Sequence, residues 1–261
     1  MTPRRKQRLI RTVLYVLLVL GLVAAVVFAD WETIRRIFFQ TDIAAGMFPE
    51  VLTRFALNTL IYTFAAFLFG LGLALILALM RLSPVGPYRW LATSYVELFR
   101  SVPALVTILL VNFGVPLAFG AQIPGGLFGI AAVGLGLVAA AYMAETIRAG
   151  IEAVPKGQSE AARSLGMRPF QAMVSIVLPQ AFRIIIPPLT NEFVLLIKDT
   201  SLLFVVGTTP FTRELTKFSR DTMATTSNAT PMVVAAFIYL VITLPLTFLV
   251  RRLEKRGARG R

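Results

Sequence analysis

The chain has 261 residues, 57% hydrophobic and only 15% charged, whereas an average soluble domain carries roughly 25% charged residues. It contains no cysteine and no histidine. That excludes disulfides, Cys/His zinc sites, thiol nucleophiles and histidine-based triads. The net charge of +13 would point to nucleic acid in a soluble protein. Here the basic residues gather at the chain ends and between apolar runs, as membrane-topology signals do, and no nucleic-acid partner is expected.

In chain order, the first apolar run covers residues 9–29, after the basic stretch "RRKQR" at 4–8. A signal peptide would begin similarly, but this run is longer than the usual apolar region, and "VFADWETIRR" is a poor cleavage site. It is read as a retained membrane helix. Residues 30–50 form a polar linker of mixed charge. A second span covers 55–80, followed by "RLSPVGPYR", whose prolines and glycine read as a tight connection. A third span covers 101–119, with Pro103 near its start and Arg100 just before it as an interface anchor. After the short loop "GAQIPGG" comes a fourth span, 127–147.

A long polar insert is then expected over 148–183, opened by Arg148, which forms a local ion pair with Glu145 three residues earlier. The fifth span, 186–206, is interrupted by charge, and 207–230 is polar. The sixth span covers 232–250, and the basic tail "RRLEKRGARGR" closes the chain at 251–261. Six spans of about 20 residues suit a hydrocarbon core of roughly 30 Å. With both termini on one side, Lys and Arg divide roughly three to one in favour of that side, which makes it cytoplasmic. The fold class is therefore an all-α integral membrane protein with six transmembrane helices.

Within the insert, "SEAARSLGMRPF" has the composition of a short helix. Pro155 and Gly157 break the preceding helix, Ser159 can cap the new one, and Glu160 sits in its first turn. Ala161, Ala162 and Leu165 share a small, shallow apolar face, and Gly166 ends the helix. Arg163 and Met167 complete the stretch. A two-turn helix cannot stand alone in water. It either lies on lipid or docks into a groove of a soluble partner, and its weak apolar face argues against lipid.

The ionisable groups in the spans are the other candidates, because they are costly there. Asn191, Glu192, Lys198, Asp199, Thr200 and Ser201 supply the acceptors and donors that an ammonium and a carboxylate need. They serve either a substrate pathway or mutual satisfaction at a subunit interface. Lys198 and Asp199 are adjacent, so they point about 100° apart. Glu192 lies six positions before Lys198, which is also off one face.

The insert resembles the signature loop of the membrane subunits of ATP-binding-cassette (ABC) importers. Glu160-Ala161-Ala162, three residues, Gly166, nine residues, then Ile176-Val177-Leu178-Pro179 match that pattern at every position and both spacings. "FRSVPALVTILLVNFGVP", "AYMAETIRAGIEAVPKGQSEAARSLG" and "LPQAFRIIIPPLTNEFVLLIKDTSL" are similar to the polar-amino-acid branch, although Ser101-Val102 stands where Gly-Thr is usual.

The resemblance covers about residues 50–250. It implies a five-helix type I importer core at 51–250, to which the first helix is an N-terminal addition. It further implies that the peg is a coupling helix, formed by Gly157, Ser159 to Arg163 and Leu165 to Met167, that docks on a dimer of cytoplasmic ATPase subunits. A second permease subunit, identical or paralogous, would pair with this one in a bacterial inner membrane. An extracytoplasmic binding protein would deliver a polar amino acid. Arg100, Pro103, Glu145, Arg148 and Pro179 would hold structure or interface. No cofactor belongs to this chain, which has no "GxxxxGK[ST]" phosphate loop. ATP and Mg²⁺ would sit on the partner. The alternatives are an ion-coupled secondary transporter, which would show an internal repeat and intramembrane ligands, or an ABC permease for a compatible solute such as ectoine.

Overall fold

The computed structural model describes residues 3–259. Residues 1–2 and 260–261 of the basic flanks, and the side chains of 3–6, 8–9 and 256–259, lie outside that description. Eleven helices are named here: α1 (Pro3–Phe28), α2 (Trp31–Phe38), α3 (Thr41–Gly46), α4 (Val51–Leu82), α5 (Gly86–Ser101), α6 (Ala104–Phe119), α7 (Leu127–Glu152), α8 (Lys156–Ser164), α9 (Pro169–Val205), α10 (Leu215–Thr226) and α11 (Thr230–Arg259). Five of them (α1, α4, α7, α9 and α11) are long and apolar enough to cross a membrane, and the bent pair α5–α6 brings the number to six.

The centre of the bundle is the α4–α7 pair. Small residues let the two backbones approach: Ala66, Gly70 and Ala74 on α4 meet Gly136, Ala139 and Met143 on α7. A Cβ on Gly136 would stand 3.0 Å from the Ala66 carbonyl oxygen and 2.7 Å from the Phe69 ring. One on Gly70 would stand 2.9 Å from the Gly136 oxygen. Without much hydrophobic drive between helices in lipid, this close fit is what holds them together. α9 crosses the other end of α7, where a Cβ on Gly150 would fall 2.2 Å from Ile185. α5 packs on α7 through Ala92 and Val96, and Tyr95 donates from its hydroxyl to the Leu137 carbonyl at 2.8 Å.

Several expected boundaries move. The segment expected to be a connection is mostly α5, and only residues 83–85 lack helix. Its charges (Arg89, Glu97, Arg100) masked a helical segment. The third span is not one straight helix from 101. α6 has 16 residues, about 24 Å at 1.5 Å each, too short to cross alone. α5 and α6 meet at 104°. The cause is Pro103, which disfavours helical geometry at Val102: both residues are extended, with ψ of 133° and 136°.

The polar insert also shrinks. α7 runs on to Glu152 and α9 begins at Pro169. α9 passes through Pro187 and Pro188 without breaking. Residues 30–50 are not a plain linker but hold α2 and α3, and 207–230 holds α10.

At the end of the bundle away from α8, a second small core of Met47, Val51, Ala56, Leu215, Ala235 and Ile238 joins α3, α4, α10 and α11. The loop before α10 is pinned to α4. Asn58 donates to the carbonyls of Phe211 and Arg213, each at 2.9 Å. The Tyr62 hydroxyl donates to the Thr212 carbonyl at 2.7 Å, and the Leu215 amide donates to Thr59 Oγ1 at 3.1 Å.

Candidate functional site

The peg, α8, does not begin where its sequence suggested. Pro155 is its N-cap, with the fixed φ of −56° suited to starting a helix. Gly157 and Ser159 therefore lie inside α8 rather than breaking or capping it, and Glu160 falls beyond the first turn. The C-terminus follows the glycine logic. Gly166 has φ +89°, its amide donates to the Arg163 carbonyl at 2.9 Å, and the Met167 amide donates to the Ala162 carbonyl at 3.2 Å. This reciprocal pair is a Schellman cap.

The three apolar residues do not share one face. Ala162 is buried and Ser159 is partly covered, while Ala161 is exposed and Leu165 is 87% exposed. The inward side rests on the turn Met173–Val177 at the foot of α9. Gln180 bridges the two, donating to the Ile176 carbonyl at 2.9 Å and reaching Gln158 at 3.4 Å. The two halves of the signature, "EAARSLG" and "IVLP", thus touch: Pro179 opens the regular part of α9 directly behind the peg's seat. The outward side presents Leu165, Gly166 and Phe170, the last 78% exposed.

Just above the peg, four charged side chains join α4 to α7. Arg148 pairs with Glu145 and with Glu152, each at 2.5 Å, and Glu145 also pairs with Arg81 in the last turn of α4. Arg81 was not anticipated. Arg81, Glu145 and Arg148 are between 13% and 27% exposed, so they couple more strongly than a fully solvated surface pair. They anchor the end of α7 four residues before α8 starts.

The second site is a cavity of about 510 Å³ at the α5–α6 bend. One wall is the bend itself, from Arg100 to Ala104. α7 contributes Tyr142 and small or aliphatic residues, and α9 contributes Glu192, Leu195, Leu196 and Asp199. Of the six polar candidates on α9, only Glu192 and Asp199 line it. They are seven residues apart, close to two turns, and share a face. That pairing was legible in the spacing, but only if Glu192 was measured against Asp199 rather than Lys198.

Lys198 and Asn191 are exposed elsewhere on α9. Thr200 is buried and donates to the Ile197 carbonyl of its own helix at 2.6 Å. Ser201 does not line the cavity.

Arg100 lies near the end of α5, about 20 Å along it from the α4–α5 connection, and its guanidinium sits 5.5 Å from the centre of the Tyr142 ring. That cation–π contact holds the planar donor at the cavity wall. Tyr142 and Ser101 carried no sequence signal strong enough to single out. Ala104, the first residue of α6, also lines the cavity, and at that position the backbone amide has no helical partner. The cavity therefore offers carboxylate acceptors on one wall and cationic and amide donors on the other.

Residues 70–259 match the model of the binding-protein-dependent transport system inner membrane component family. A probable glutamine ABC transporter permease protein of Bacillus subtilis is 42% identical over 188 residues, covering 72% of this chain and 83% of that protein. An arginine transport system permease protein of Corynebacterium glutamicum is 37% identical over 241 residues, covering 88% of this chain and 72% of that one.

Among solved structures, an amino acid ABC transporter crystallised with histidines has a TM-score of 0.76 at 35% identity, covering 84% of this chain and 100% of that chain. An inward-facing methionine ABC transporter shares the fold, with a TM-score of 0.66 at 22% identity, covering 81% and 98%. The matched family region leaves α1 to α3 outside it. Members of this family work with a separate ATPase and a solute-binding protein. The chain belongs to the binding-protein-dependent transport system inner membrane components: it is a multi-pass permease subunit of an ABC importer and not itself an enzyme.

Proposed function

We propose that this permease carries a polar amino acid through the cavity at the α5–α6 bend. The observation that carries the proposal is the meeting of Arg100 with Glu192 and Asp199 around one cavity. An α-amino acid presents one carboxylate and one ammonium. Arg100 and the amides of α6 suit the first, and the α9 carboxylates suit the second. The volume suits a single small solute. The relatives named for glutamine and arginine transport support this class of substrate.

Two such permeases would pair in the membrane, as a homodimer or with a paralogue, above two ATPase subunits that hold ATP and Mg²⁺. α8 would dock on the ATPases through Leu165, Gly166 and Phe170, which places α8 and both termini in the cytoplasm. The Lys/Arg bias and the exposed face of α8 support that orientation. ATP-driven closure would push α8 against the foot of α9, and α9 carries the carboxylates that line the cavity.

The test is reconstitution of the permease with its ATPase in liposomes, followed by ATP-dependent uptake of labelled amino acids from the binding protein. Uptake that is strong in the native complex and lost in Glu192→Gln and Asp199→Asn supports the proposal. Undiminished uptake in both variants removes the cavity from the pathway.

A further inference from the structure

The segment before the family region carries an exposed apolar surface. α2 is an eight-residue helix with Asp30 as its N-cap, accepting a hydrogen bond from the Thr33 amide at 3.0 Å. At 100° per residue, Trp31, Ile34, Ile37 and Phe38 fall within an arc of about 120°. Glu32, Thr33, Arg35 and Arg36 occupy the rest. Trp31, Ile37 and Phe38 are exposed, and aromatic Phe28 and Phe39 flank the helix, also exposed. Neither Arg35 nor Arg36 forms a salt bridge among the described residues.

Both ends of α2 are fixed in depth. Its N-terminus follows the end of the apolar run Ile10–Phe28 by two residues, and the Trp31 indole donates back to the Val26 carbonyl at 2.7 Å. No residue of that run is buried by the rest of the chain, which leaves its apolar surface to lipid or to another subunit. The C-terminal end of α2 is tied to the start of α11, another span. The Ala229 amide donates to the Ile37 carbonyl at 2.9 Å, Asn228 Nδ2 donates to the Arg36 carbonyl at 2.8 Å, and the Gln40 amide donates to Thr230 Oγ1 at 2.9 Å. A helix whose two ends are held at the ends of two membrane spans lies along the membrane surface.

We propose that α2 is an interfacial helix, with its Trp31–Phe38 face seated in the acyl–headgroup boundary and Arg35 and Arg36 turned to anionic lipid phosphates. The face is continuous with the exposed wall of α1, its tryptophan suits the interfacial belt, and its basic flank complements anionic headgroups. It fastens the outer ends of α1 and α11 to the bilayer at the end of the bundle away from α8.

Trp31 makes this directly measurable. The chain has two tryptophans, and Trp90 is 72% exposed, so Trp90→Phe leaves Trp31 as the sole reporter at little structural cost. The full-length variant is placed in nanodiscs, with or without phosphatidylglycerol, and quenched either by lipids brominated high on the acyl chain or by aqueous iodide. The expected result is a roughly twofold loss of emission with brominated lipid and little loss with iodide. The lipid quenching should weaken when phosphatidylglycerol is replaced by phosphatidylcholine, and Arg35→Gln/Arg36→Gln should abolish that dependence. Quenching by iodide alone would put α2 in water. Protection from both quenchers would mean that protein covers it, from a second copy or another subunit. Equal behaviour in the two lipids would remove the headgroup contact. Each of these three results overturns the proposal.

Discussion

Gly166 gives a test of the peg in which packing and backbone separate cleanly. A Cβ built there meets nothing within 4 Å, so an alanine has room. Its φ of +89° is the problem, because L-residues pay a left-handed penalty of about 1–2 kcal/mol. That energy reduces the properly capped population of α8 by a factor of roughly 5–30. Loss of the cap frees the Arg163 and Ala162 carbonyls and redirects Met167. Asparagine tolerates positive φ and should cost less, while valine should cost most. The assay is ATP hydrolysis stimulated by the loaded binding protein in the reconstituted complex, with the amount of permease in the membrane as control. The expected order of coupling is Gly, Asn, Ala, Val, with membrane levels unchanged. If Ala and Val couple as well as Gly, the shape of the α8 terminus does not transmit force.

Gly136→Ala should lower stability by about 1–3 kcal/mol through overpacking of α4 against α7. Thermal unfolding in detergent should show this, and Phe69→Ala should relieve part of it, since the ring is one of the two obstacles. Arg100→Lys keeps the charge but loses the planar donor stacked on Tyr142. Uptake efficiency should fall about tenfold or more, and an unchanged rate would show that the guanidinium plane is irrelevant. Glu145→Gln breaks pairs with both Arg81 and Arg148; it should reduce coupling of hydrolysis to uptake more than it reduces basal hydrolysis, and equal losses would argue against a link from α4 to the peg.

Glu214, in the loop before α10, is fully buried. Burial pushes its carboxyl up from the ordinary 4.5 to about 7, although the Thr216 and Lys217 amides hydrogen-bond it and oppose the rise. The folded chain therefore holds this proton more tightly than the unfolded one. Stability should fall as pH rises from 4.5 to 7, by up to about 3 kcal/mol, and level off above that. Melting curves of Glu214→Gln should lack that slope, and a slope retained in the variant would assign it to another group.

The spans and the peg were legible in the sequence because hydropathy over 20 residues and a long gapped motif are both local, linear signals. The cavity was less so. Its residues come from four helices, and charge in 81–100 suggested a connection rather than the helix that carries Arg100. The decisive cue was present in Pro103, whose effect on Val102 sets the bend. Tyr142 carries no such cue: its importance exists only once Arg100 lies beside it. Ser159 misled for a related reason. A good capping residue lost to Pro155, which fixes the backbone four residues earlier.

α9 adds mechanical leverage to this arrangement. It runs unbroken from beneath the peg to beyond Asp199, and from Ile176 to Asp199 it spans about 35 Å. A tilt of about 10° about its foot would displace the Asp199 end by about 6 Å, comparable to the width of an amino acid side chain. Because one rod carries both the seat of α8 and the acidic wall, a small stroke at the peg end would be amplified at the cavity. The gain is set by the distance between two motifs along a single helix.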